Sequence, residues 1–131
     1  LTMADEFGIA GRINISGIIG LSGPYDFYPF DVSQSENAFG HLQEPEQSQP
    51  INRVGAEMPP MLLVHGDADR TVYLRNSVNL AEAVEAAGGT VQLKVYSGAS
   101  HADTLISLAW PLRWRHGLWD DVMAFIGEVV P

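Results

Sequence analysis

The sequence predicts an α/β fold, a parallel three-stranded portion of a sheet flanked by helices. Three observations carry that reading. Apolar runs at Ile13–Leu21, Met61–Val64 and Val91–Tyr96 have strand character. Helical stretches lie between and after them, so the strands pair in parallel through right-handed crossovers. Each run stops in turn residues, Ser22-Gly23-Pro24, Gly66-Asp67-Ala68-Asp69 and Ser97-Gly98-Ala99-Ser100.

Taken in order, Leu1–Phe7 reads as the end of a helix, as a piece of a longer protein would begin, and no signal peptide is visible. In the first strand, Gly17 and Gly20 permit close approach of neighbouring groups. Tyr25–Val32 is an aromatic-rich loop, and Ser35–Leu42 fits a short helix. Gln43–Pro60 is polar and carries Pro45, Pro50, Pro59 and Pro60, which makes it an irregular connection. Met61–Val64 is unbroken and suits a central strand, whereas Val91, Leu93 and Val95 alternate with Gln92, Lys94 and Tyr96 and suit an edge. Between them a helix starting near Leu74–Asn76 places Leu80, Ala81, Val84 and Ala87 on one face, and Gly88-Gly89 stops it. Pro111 interrupts the next apolar stretch. The last helix sets Leu118, Val122, Phe125, Ile126 and Val129 along one stripe.

The 131 residues fit one domain with a real core, and 46% of them are apolar, as in a folded chain. Sixteen acidic against seven basic residues give a formal charge of −9, which disfavours nucleic acid as a partner. No apolar stretch reaches the roughly 18 residues of a membrane span. There is no cysteine, and His41, His65, His101 and His116 lack metal-ligand spacing, so neither a metal nor another cofactor is expected.

An acid on one strand-end loop and a histidine on the next form two thirds of a nucleophile–base–acid triad. His101 lies 32 residues beyond Asp69, room for one helix and one strand that return the chain to the same sheet rim. Asp67 is the rival acid, and an Asx-turn role suits it better. His65 reads as a strand-end histidine bonded to backbone, His41 as a loop residue, and His116 as an exposed helix start. Arg113 and Arg115 among Trp110, Trp114 and Trp119 suggest a packed helix junction with snorkelling arginines rather than a nucleic-acid patch. Trp110 and Trp114 could instead line a pocket near His101.

His65-Gly66-Asp67-Ala68-Asp69-Arg70-Thr71-Val72 resembles the acid loop of the α/β-hydrolase superfamily, commonly HGxxDxxV. Leu21-Ser22-Gly23-Pro24-Tyr25-Asp26 upstream and Ser100-His101 downstream extend the likeness, which is strongest to bacterial carboxylesterases of the hormone-sensitive-lipase-like and feruloyl-esterase-like groups. The resemblance implies a Ser-His-Asp triad cleaving carboxylic esters, with Asp69 as acid and His101 as base. It covers only the second half of the catalytic domain, because the HGGG loop and GxSxG elbow that precede these motifs are missing from the 131 residues. The nearest serine, Ser22 in Gly20-Leu21-Ser22-Gly23-Pro24, lacks the final glycine and the following helix.

The expectation is therefore that residues 1–131 are the C-terminal part of a hydrolase domain, with a small cap at about 25–60, that acts on small-molecule esters. The alternative is a non-catalytic binding or assembly module derived from a hydrolase. On either reading, the outer edge of the first strand invites self-association or pairing with a complementary N-terminal half.

Overall fold

The computed structural model describes residues 15–113 and 115–130. The predicted helix end at Leu1–Phe7, the start of the first strand and Trp114 lie outside them. Three parallel strands, β1 (Ile18–Leu21), β2 (Met61–Gly66) and β3 (Val91–Tyr96), stand in the order β1-β2-β3. Ile18 pairs with Met61, which in turn pairs with Val91. The described residues hold four helices, α1 (Ser33–Phe39), α2 (Arg75–Ala86), α3 (His101–Ile106) and α4 (Leu118–Val129). Gln43–Pro60 is irregular as expected, apart from 3-10 turns at Pro45–Ser48 and Pro50–Arg53.

β2 is buried along its whole length, which is why its sequence is an unbroken apolar run. Its side chains alternate between two cores. Met61 and Leu63 pack with Leu80, Ala81 and Val84 of α2, with Ile51 and Val54 from the β1–β2 connection against them. Leu62 and Val64 face Leu118, Val122 and Phe125 of α4 on the other side. The predicted stripe on α4 is one residue too wide. Ile126 is exposed, because it sits about 80° around the helix from Leu118, beyond the edge of the buried face.

α2 ends where the glycine pair requires. Gly88 takes φ +81°, its N–H donates to Glu85 O, and Gly89 N–H donates to Val84 O, the paired bonds of a left-handed helix stop. The aromatic loop after β1 is tied to α2 by Asn76, whose Oδ1 accepts the N–H groups of Tyr25 and Asp26. Gln49 Oε1 accepts Phe27 N–H from the other side. Among the described residues, nothing pairs with the outer side of β1.

Candidate active site

All three strands point their carboxyl ends at one rim, so the loops after β1, β2 and β3 meet there. The loops after β2 and β3 approach more closely than side chains would allow. A Cβ on Gly66 would lie 2.0 Å from Ala99 O, so glycine is required at this crossing. Ala68 N–H donates to Ala99 O at 3.1 Å, and Asp67 Oδ1 accepts Gly98 N–H at 2.7 Å. Asp67 thus latches the two loops together, in keeping with a turn-shaping role.

Asp69 is what this crossing holds in place. Its carboxylate is fully buried, and Oδ1 accepts the N–H groups of Thr71 and Val72 at 2.8 and 2.9 Å. Oδ2 lies 2.8 Å from His101 Nδ1. Burial alone would push this carboxyl up. The Val72 N–H, the His101 imidazole and the Thr71 N–H outweigh it and hold Asp69 below the ordinary carboxylate range.

His101 is the first residue of α3 rather than a loop residue. The sequence signal for that helix was Ser100-x-x-Asp103, and Asp103 Oδ2 accepts both the N–H and the hydroxyl of Ser100. The His101 side chain is one-third exposed. With Nδ1–H donated to Asp69, Nε2 carries a lone pair, so the ring can accept a proton while a buried carboxylate steadies the resulting cation.

The other candidates separate from this pair. His65 is fully buried. Its Nε2–H donates to Val72 O at 2.8 Å, which makes Nδ1 the acceptor of the Ser77 hydroxyl at 2.7 Å, and Nε2 also stands 3.4 Å from Asp69 Oδ2. It is a strut under the acid loop, bonded to backbone as expected and to a serine that sequence spacing did not single out. Ser22 is buried at the end of β1 with φ +47°, and its hydroxyl meets Thr104 Oγ1 at 2.9 Å. His41 is exposed in its loop. His116 is half-buried rather than exposed. It precedes α4 by two residues and its ring lies 6.1 Å from that of Tyr96, an aromatic contact that sequence reading had no means to see. Trp110 is 75% exposed, so it is not the packed residue expected, although the Arg113 guanidinium does lie over both Trp110 and Trp119.

A cavity of about 490 Å³ opens on the α2 side of β1, between Ile18, Gly20, Tyr25, Pro50, Met58 and Leu63. Neither Asp69 nor His101 lines it. Among the described residues, no cluster of three metal-ligating side chains forms and no helix is long and apolar enough to cross a membrane.

A parallel sheet between helix layers, with an acid and a histidine joined above its carboxyl rim, is an α/β-hydrolase fold. Residues 24–126 match the prolyl oligopeptidase family, and the chain belongs to that family. It is 27% identical over 126 residues to an isoprenylcysteine alpha-carbonyl methylesterase of Arabidopsis thaliana, a match covering 92% of this chain and 29% of that protein. A truncated carbohydrate esterase from gut microbiota superposes with a TM-score of 0.72 at 26% identity, over 88% of this chain and 42% of the other. A thermophilic esterase of Thermogutta terrifontis shares the fold, with a TM-score of 0.60 at 24% identity over 90% of this chain and 45% of the other. The chain thus spans less than half the length of each of these relatives.

Proposed function

We propose that Asp69 and His101 are the acid and base of a Ser-His-Asp triad that cleaves small carboxylic esters. On this reading, residues 1–131 are the C-terminal part of the catalytic domain, and polypeptide outside them supplies the serine and the oxyanion hole. The observation that carries it is the 2.8 Å contact between a one-third exposed imidazole and a fully buried carboxylate.

His101 Nε2 takes the serine proton as the hydroxyl oxygen attacks the ester carbonyl. The proton then passes to the departing alcohol, leaving an acyl-serine, and a water repeats the cycle to release the acid. Asp69 holds the ring with Nδ1–H toward the carboxylate and offsets the imidazolium charge. Ester chemistry is supported by the esterase relatives. The Tyr25–Asp31 loop and Gln43–Pro60 would contribute a small cap, anchored through Asn76 and Gln49.

The test is turnover of p-nitrophenyl acetate by the longest natural reading frame containing this chain. Asp69→Asn should lower kcat by about 10⁴, because the wrong imidazole tautomer faces the serine. His101→Ala should cost at least as much, and the 131 residues alone should match the buffer rate. Wild-type turnover by either variant would overturn the proposal.

A further inference from the structure

We propose that Ser22 and Thr104 form a buried hydroxyl relay that positions His101 against Asp69. The inference rests on the reading of His101 as the base, and it assigns a role to a serine that the hydrolytic scheme leaves unused.

The donors can be ordered by chemistry alone. His101 O is a carbonyl and can only accept, so the Thr104 hydroxyl at 2.8 Å donates to it. The lone pair of Thr104 Oγ1 then accepts the Ser22 hydroxyl at 2.9 Å. Both hydroxyls are buried, with Ser22 1% and Thr104 2% exposed, so water does not substitute for either bond.

A threonine bonding back to a carbonyl in its own helix is ordinary. Its setting here is not. α3 has only six residues, too few to hold its own shape, and Leu105 and Ile106 at its end are exposed. Thr104 is its one buried residue. Buried Ala99 and Ser107 seat the two ends of the helix, and between them the Thr104 hydroxyl pegs its middle to the end of β1. The other end of the peg is firm, since Ser22 N–H donates to Val64 O at 2.8 Å, fixing the end of β1 to β2. Ser22 also keeps φ +47°, a conformation costly for a non-glycine residue and one that here accompanies a hydroxyl aimed at Thr104.

The experiment reads the His101 tautomer by imidazole ¹⁵N shifts in the 131-residue chain, on the deprotonated plateau of its titration. In the wild type the Nδ1–H form should dominate, and Asp69→Asn should abolish that dominance. Thr104→Val should move the tautomer ratio toward Nε2–H by up to about tenfold, because a His101 backbone released from this bond loosens the Nδ1–H contact with Asp69. Thr104→Ser should restore it. Ser22→Gly keeps the left-handed backbone accessible while deleting the hydroxyl, and should shift the ratio in the same direction even if Thr104→Val does not fold. A wild-type ratio in folded Thr104→Val or in Ser22→Gly, with Asp69→Asn still altered, would overturn the relay and leave the acid–imidazole pair standing. An unaltered ratio in Asp69→Asn would overturn both.

Discussion

Asp69 shows how one buried charge ties local geometry to the stability of the domain. Its folded-state affinity for a proton is depressed by the Val72 N–H, His101 and the Thr71 N–H acting against burial. The stabilisation it gives is therefore fully present above the ordinary aspartate value of about 3.9, and it is lost as pH falls through that value toward the folded one. Urea unfolding at stepped pH should show wild-type stability falling more steeply below about pH 4 than that of Asp69→Asn. At neutral pH the variant should be weaker by about 2 kcal/mol, for loss of charge-assisted bonds. Parallel curves would mean that the acid loop does not hold its charge as described. The meeting of Asp69 with His101 was legible because each follows a strand within a short, ordered motif. The partnership of Ser22 with Thr104 was not, since 82 residues separate two hydroxyls that only the folded sheet brings together. His65 was read correctly as backbone-bonded, while its serine partner lay on a helix face that periodicity left unassigned.

At the scale of elements, the crossing of the loops after β2 and β3 decides whether the acid and the histidine meet. Gly66→Ala would drive a methyl group into Ala99 O and separate the loops, breaking the Ala68–Ala99 bond with them. Thermal unfolding should register a loss of about 1–3 kcal/mol, the usual cost of overpacking. An unchanged melting temperature would show that the loop yields freely. β2 was visible as an unbroken apolar run, β3 by its alternation, and α2 and α4 by their helical period, with a glycine stop on α2. α3 was not, because six residues cannot display a helical repeat. β1 was placed correctly but drawn too long, since Ile15, Ser16 and Gly17 precede the paired segment.

Across the described residues, helices cover both faces of the central strand and no strand pairs with the outer side of β1, where we propose pairing with a second copy or with the complementary polypeptide. Sedimentation of the 131-residue chain at tens of micromolar, roughly the range of weak edge pairing, should show species larger than a monomer. A single monomeric boundary would remove the edge as a contact. The burial of β2 carries one more consequence. Among the described strands it alone is paired on both sides, with a hydrophobic core above and another below. Deuterium should reach the Leu62–His65 amides only when the entire domain opens, whereas outward amides of β1 and β3 should be released by local fraying. Exchange at these β2 amides should therefore report the global free energy of unfolding, in native buffer and without denaturant.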